Sequence, residues 1–497
     1  MSYIYSNKQT FQDQFIPIRS TKARQVRYSP TSSPTTSIQS MIQFSQIGPR
    51  DFRDVMTNIK FICKLKITYT MNKNADTMIT YKNFNYAITQ CQVSINGSNS
   101  LSIPLSILAP VYENYNKKYA HIYNKQNEYN DTVYLKSRKV TKYKEDGDEI
   151  ENADDEAYRE MTDEIYICTP IYHPWLCAPY LGGINNMDVS FNINLLNIVA
   201  NTGQFTDMEI ESFDNVQIIY DTYRTDNEIF SILLPYFKYT EKLVEKDKYE
   251  TTFNTTDLKT APLKIFISGT YDYTNTKIDT INRVQSFEFS KAQFNINNIT
   301  DAYNSNSIMA LYNVSQNAGY LKSFTEFVGS SDNHLASSGA TPLFSYRYTF
   351  NPCCIGLDLK YIDVDIGTDD LFRFEGTLYY TSDDIANRKL FVVYMYPSLF
   401  VSTRTKTDII TAESLVGKEL LSDFDYEDFD DFYGFGFWDK LKGGISKAIK
   451  FIKDKKLISN GAKLIGNTVG NVHPGVKAIT DTVGNISDSL GFSTKAF

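Results

Sequence analysis

The sequence predicts a mainly β protein: two consecutive antiparallel β-sandwich units with long inter-strand loops, followed by a short α-helical C-terminal tail. Three observations predict it. Aromatic residues make up 14 % of the chain, nearly all of them Tyr (36) and Phe (32), residue types that suit half-buried pleated surfaces. Apolar and polar residues alternate at period two through several segments. These segments fall into two series, residues 51–240 and 241–421, with no blade-length repeat of the kind that marks a propeller.

At 497 residues the chain is too long for one ordinary core. Residues 1–50 are polar and turn-rich, carry Arg19, Lys22, Arg24 and Arg27, and read as an extended basic arm. In 59–69, Ile59, Phe61, Cys63, Leu65, Ile67 and Tyr69 share one face and lysines mostly take the other, the pattern of a half-buried strand. Residues 87–95, 187–195 and 216–223 are further strands of this first unit. Between them, 111–180 reads as a long loop whose stretch 144–156 holds eight carboxylates in thirteen residues, a density that keeps it solvated. It lacks the Gly and terminal Glu spacing of a calcium-binding hand. Polar turns around 241–259 open the second unit, with strands at 263–269, 284–290, 357–364, 372–380 and 390–396.

The last residues differ in kind. An acidic-aromatic linker, 422–436, ends in Gly434-Phe435-Gly436, and an amphipathic helical tail, 437–497, follows. Trp438, Leu441, Ile445, Ile449 and Ile452 recur at helical spacing, with Lys440, Lys442, Lys447, Lys450 and Lys453 between them. Residues 437–456 hold seven lysines against two aspartates, a local charge of +5 in a chain of net charge −8. Three partners suit such a helix: the protein itself or a sister subunit, an anionic membrane, and packaged nucleic acid. Farther on, a heptad-like spacing from Ile465 to Leu490 is interrupted by glycines and by Pro474-Gly475, so two short helices are expected there.

Catalytic motifs are nearly absent. There is no phosphate-binding Gly-rich loop with Lys-Ser/Thr, no His-Glu-x-x-His, no nucleophile elbow and no dinucleotide fingerprint. The chain has four histidines, and the closest approach to a metal set is Cys168-x4-His173-x3-Cys177, set in an apolar stretch and short of the four ligands zinc favours. Structural residues are the better reading, so no catalytic, cofactor or metal residues are assigned, and a non-enzymatic protein is expected. The six cysteines sit mostly in apolar runs and give no disulfide framework. The N-terminus lacks secretory signal architecture, and no apolar stretch is long enough to cross a bilayer. Synthesis inside a cell, in cytoplasm or nucleus and without a signal peptide, is expected. Sequons such as those at Asn96, Asn254 and Asn298 are then chance products of an Asn-rich chain.

A basic arm, two strand-rich units with long loops, no catalytic set and an amphipathic tail together resemble a viral jelly-roll major capsid protein, in particular the double jelly-roll lineage of adenovirus, polinton and tailless-phage type. Residues 356–362, 372–378 and 390–396 look like the closing strands of such a unit. The resemblance covers about residues 50–420 and is architectural. It implies a virion protein that forms homotrimers tiling an icosahedral shell, with the acidic loop outside and the basic arm and tail inside. Minor capsid proteins, the viral genome or a membrane are the further partners it implies. Two other classes stay open: a β-sandwich binding module or adhesin recognising a glycan or protein, and a carboxylate-dependent glycoside-processing enzyme.

Overall fold

Strand β3 (Asp54–Asn72) shows how the alternation becomes structure: Ile59, Phe61, Cys63, Leu65, Ile67 and Tyr69 are all buried, while Lys60, Lys64 and Lys66 point outward. A computed structural model describes, with short gaps, residues 23–119, 133–143, 148–150, 157–225, 229–258, 261–271, 289–327, 354–359, 372–380, 388–403 and 407–411, with 2–3 and 17–18. These lie in one compact unit, Met1–Lys8 with Phe15–Val416; a second, Gln9–Gln14 with Gly417–Phe497, lies outside the described residues.

The first half contains β1 (Arg24–Tyr28), β2 (Gln39–Phe44), β3, β4 (Ile88–Ile95), β5 (Asn99–Ile103), helix α1 (Leu105–Tyr115), β6 (Val133–Tyr143), β7 (Tyr158–Pro170), β8 (Met187–Asn194) and β9 (Phe205–Arg224). One sheet has the order β6-β7-β3-β9-β1, with Glu149–Ile150 on the free edge of β6; the facing sheet is β2-β8-β4-β5. The second half contains β10 (Ile229–Val244), β11 (Glu250–Leu258), β12 (Lys264–Tyr271), β13 (Phe289–Ile296), β14 (Ile299–Ser305), α2 (Ile308–Asn317), β15 (Cys354–Asp358), β16 (Phe372–Tyr380), β17 (Arg388–Thr403) and β18 (Thr407–Thr411). Its sheets are β10-β17-β12-β15, with β18 added to β17, and β11-β16-β13-β14.

The two halves share one topology. With β6 set aside, the eight strands of the first half pair as first-eighth-third-sixth and second-seventh-fourth-fifth, and β10 to β17 pair in the same two orders. Eight antiparallel strands joined in this way form a jelly roll, so the chain is two jelly rolls in succession. Each half places its helix directly after its fifth strand. Each also begins the turn between its fourth and fifth strands with an asparagine at positive φ, Asn96 (φ 51) and Asn297 (φ 51). Asn96 donates its N–H to the Asn186 carbonyl (2.8 Å) and its Oδ1 accepts the Asn186 N–H (3.0 Å). Asn297 makes the same pair of bonds with Arg373, at 2.9 Å each. Asparagine tolerates the left-handed region and bonds locally, which suits it to both tips.

Several expected boundaries shift. Residues 24–28 and 39–44, expected in the arm, are β1 and β2, each pairing with a longer strand. The loop expected over 111–180 contains the end of α1 and all of β6 and β7. The second sandwich starts with β10 at Ile229, ahead of the polar turns where a boundary was expected at 241. Of the strand expected at 284–290, Phe289 and Ser290 open β13 (Phe289–Ile296) and 284–288 lie outside the described residues; of the one expected at 357–364, Leu357 and Asp358 end β15 (Cys354–Asp358), which β12 pairs, and 360–364 lie outside them. Strands at 372–380 and 390–396 stand where the alternation and the apolar run placed them.

Residues 390–396 and 261–269 are buried throughout, on both faces of their sheet. Both faces being covered explains why these strands read as continuous apolar runs. One face meets the second jelly roll's other sheet, as where Phe374 meets Tyr394 edge-on at 6.4 Å. The opposite face meets the first jelly roll.

Candidate assembly surfaces

Two sets of side chains join the jelly rolls. The first centres on Tyr115, the last residue of α1. Its ring lies on Gly356 of β15, where a Cβ would fall 2.6 Å from the ring, and its centroid is 4.8 Å from that of Phe266. The Tyr115 hydroxyl donates to the Cys354 carbonyl at 2.7 Å, and the Gly356 N–H donates to Ser315 Oγ of α2 at 3.1 Å. In an antiparallel edge strand, alternate residues turn their backbone groups away from the neighbouring strand. Cys354 and Gly356 are two such residues of β15, so one side chain from each half's helix satisfies the edge.

One polar contact nearby crosses between the halves, the Leu321 N–H donating to the Asn114 carbonyl (2.9 Å); beside it, within the second jelly roll, Lys264 Nζ donates to the Ala318 carbonyl (2.9 Å) and pairs with Asp358 (3.5 Å). Glu113 of α1 accepts from the Tyr86 hydroxyl at 2.9 Å. Burial pushes its carboxyl above the ordinary carboxylate range, against the opposing pull of Lys322 and the hydrogen bonds of Tyr86 and Asn83.

The second set lies in 180–186. Gly182 packs face to face with Phe230, whose ring would be 2.2 Å from a Cβ there, and Phe230 also meets Phe52 at 5.5 Å. The Gly183 carbonyl (φ +73) accepts from Ser402 Oγ at 2.7 Å and from Asn96 Nδ2 at 3.0 Å; Asn96 Nδ2 also reaches Thr407. The Asn96 side chain is therefore spent on the fold, which gives its sequon a structural role. Replacing Asn96 with Ala forces an L side chain into positive φ and removes these bonds, an expected loss of about 2–3 kcal/mol, whereas Asn96→Gly keeps the backbone and loses less. Urea titration of both variants checks the order.

The outer face of the larger first sheet is a second feature. Glu164 of β7 pairs with Lys64 (2.6 Å) and Lys136 (3.0 Å), and these two bonds, Lys64 first, hold its carboxyl down at about 2. Both ammonium groups also lie over the Tyr166 ring, at 5.9 and 5.4 Å. Tyr166 stands opposite Tyr134 in the ladder, and the two are 38 % and 59 % exposed. Exposed rings framed by charge are chemistry suited to protein contact.

On the buried side of the same strands, Asp163 is fully buried and receives two bonds from Arg138 (Nε to Oδ1 and Nη2 to Oδ2, both 2.7 Å), one from the Tyr81 hydroxyl (2.6 Å) and one from Tyr69 (3.3 Å). Burial is the largest influence and works against the guanidinium charge, but the hydrogen bonds to Asp163 together with the electrostatic pull of Asp163, Tyr69 and Tyr81 outweigh it, so Arg138 is held charged.

Of the residues singled out in the sequence, Arg24 and Arg27 stand on β1, where Arg27 donates twice to Gln25 Oε1 (3.2 and 2.9 Å). Arg19, Lys22 and the tail residues from Trp438 to Lys453 lie outside the described residues, as do most of 144–156. Cys168 is exposed on β7, whereas His173 is buried with both ring nitrogens engaged, and Cys177 Sγ bonds the Ile171 carbonyl at 3.0 Å. Among the described residues no cluster of metal-ligating side chains forms, five cysteines are unbridged, and no helix is long and apolar enough to cross a membrane. Of the junction residues the sequence draws attention only to Asn96, as a sequon, and to Gly356, at the head of an expected closing strand; nothing in it marks Tyr115, Gly182, Gly183, Phe230 or Ser402.

No protein-family model and no curated protein matches the chain. Solved structures do. The mavirus major capsid protein aligns over 83 % of this chain and 95 % of its own, at a TM-score of 0.56 and 12 % identity. A chain of the Sputnik virophage structure aligns over 82 % and 91 %, at 0.55 and 15 % identity. The likeness is one of fold: this chain has the double jelly-roll architecture found in viral major capsid proteins.

Proposed function

We propose that this chain is the major capsid protein of a virus, a non-enzymatic structural subunit that self-assembles through homotrimers into an icosahedral shell. The observation that carries the reading is the pair of jelly rolls with one strand order, locked by a buried junction, in an alignment spanning nearly the whole of a known capsid subunit. Two sandwiches fixed side by side give one chain two similar lateral faces, so three chains outline a near-hexagon that can tile a closed surface. The outer face bearing Tyr134 and Tyr166 is a contact surface in this arrangement. The N-terminal cations and the lysine-rich tail face the interior, where genome or an anionic membrane supplies the counter-charge, and minor capsid proteins are further partners. The virion is then the protein's location.

Negative-stain microscopy with mass photometry tests this on the full-length protein and on a variant ending at Ser422. Trimers or closed shells are expected from the full chain, and a change in assembly on truncation assigns the tail its role. A strictly monomeric species in both, across salt and pH, overturns the reading.

A further inference from the structure

We propose that His173 is an acid-sensitive latch: protonating its buried ring loosens the contact of segment 171–186 with the second jelly roll while the first sheet stays folded. The inference concerns the single chain and stands whether or not a shell forms.

The geometry carries it. His173 is fully buried. Its Nδ1 accepts the Trp175 backbone N–H at 3.2 Å, and its Nε2 lies 3.3 Å from the Leu101 carbonyl of β5. An acceptor at Nδ1 and a donor at Nε2 define the neutral tautomer. A second proton has to enter at Nδ1, where it meets the Trp175 N–H head-on and leaves two buried donors without an acceptor between them. The His173 carbonyl also accepts from the Cys177 N–H (2.9 Å), so the turn that follows is built on this residue.

The segment touches the second jelly roll directly on one side of His173 and through Tyr112 on the other. Tyr172 stacks on Tyr112 at 5.3 Å, and Tyr112 meets Phe237 of β10 at 6.2 Å. Leu181 exchanges backbone bonds with Met56 (2.8 and 2.9 Å), and Gly182 and Gly183 follow, against Phe230 and Ser402.

The titratable groups on the elements around this segment offer no counter-ion for an imidazolium. Tyr112, Tyr119, Tyr172, Cys91 and Cys177 are neutral in acid. Glu113 is turned to Tyr86, and Lys82 lies over the Tyr86 ring at 5.5 Å. Burial holds the imidazole down at about 3, against an ordinary 6.5, with the Leu101 hydrogen bond opposing only in part. The unfolded segment therefore binds the proton that the folded one refuses, and stability falls as pH drops from about 6.5 toward 3, by up to about tenfold in the equilibrium per pH unit. Glu113, held above its ordinary range, acts with the opposite sign and cannot be the source of an acid loss.

The test is peptide-resolved hydrogen exchange on the full-length chain, wild type and His173→Gln, at about pH 7 and pH 5.5, corrected for intrinsic rates. In the wild type, peptides covering 176–186 and 229–234 are expected to lose about tenfold in protection at the lower pH while residues 59–69 of β3, clear of the Met56–Leu181 bonds, do not change; His173→Gln is expected to show no such loss. Equal acid loss in the variant, no loss in the wild type, or loss in 59–69 of β3 at the same rate as in the junction overturns the latch. Should His173→Gln fail to fold, the wild-type comparison of junction with 59–69 of β3 still decides.

Discussion

Asp163→Ala is expected to destabilise the protein by about 3–5 kcal/mol, because it leaves the Arg138 guanidinium buried without its carboxylate. Arg138 has only 13 % of its side chain exposed, and water cannot replace the two bonds it gives Asp163. The Tyr81 and Tyr69 hydroxyls lose the same acceptor. Asp163→Asn keeps the shape but not the charge, and is expected to fall between wild type and alanine. A double variant, Asp163→Leu with Arg138→Met, removes both charges and is expected to cost less than Asp163→Ala alone, since the largest penalty belongs to the stranded ion and not to the missing pair. Urea unfolding of these proteins and of the two singles Asp163→Leu and Arg138→Met reads this directly. Single substitutions whose costs simply add in the double variant would show that the two side chains are not coupled.

The same pair shows why part of the fold was hidden in the sequence. On β3 the inward row from Ile59 to Tyr69 is Ile, Phe, Cys, Leu, Ile and Tyr, and the opposite face carries lysines, so alternation is read directly there. On β7 the inward row is Met161, Asp163, Ile165 and Ile167, and the outward row includes Glu164. A charge in the buried row breaks the period-two signal, and the residue that makes it tolerable, Arg138, sits on another strand across an acidic stretch that dominates any reading of composition. The strand was therefore absorbed into the loop expected over 111–180. β1 was missed for a different reason. It has five residues at a sheet edge, with Arg24, Gln25 and Arg27 exposed, and a short polar edge strand has the composition of an arm.

The junction was less legible still. Residues 390–396 announce a strand buried on both faces, but an apolar run does not say what covers the second face. The answer lies in glycines. Gly182, Gly183 and Gly356 look in sequence like turn punctuation, whereas in the fold they make room for Phe230, Ser402 and Tyr115. A missing side chain leaves no pattern until the ring that fills its place is known. The tail carries the clearest helical periodicity in the chain and lies outside the described residues, so its partner is a question for the truncation experiment.

Tyr115→Ala is expected to cost about 3–5 kcal/mol, the usual range for removing a large buried ring, and the loss should appear first as separation of the two jelly rolls. The ring fills the space above Gly356, touches Phe266, and packs edge-on against Tyr320 at 5.4 Å, while its hydroxyl serves the Cys354 carbonyl on the edge of β15. Deleting it opens a cavity between two halves that otherwise meet through polar contacts, the Tyr112–Phe237 ring pair and the 180–186 set. Tyr115→Phe separates the two contributions: it keeps the packing and strands only the carbonyl, an expected cost of about 1 kcal/mol. Gly356→Ala attacks the same contact from the other side, since its Cβ has nowhere to go while the ring stays in place. Limited proteolysis between β9 and β10, near residues 226–228, reports the separation, and urea unfolding reports the energy. If Tyr115→Ala costs no more than Tyr115→Phe, the ring is not what holds the halves together, and the burden passes to Phe230 and the glycines beneath it.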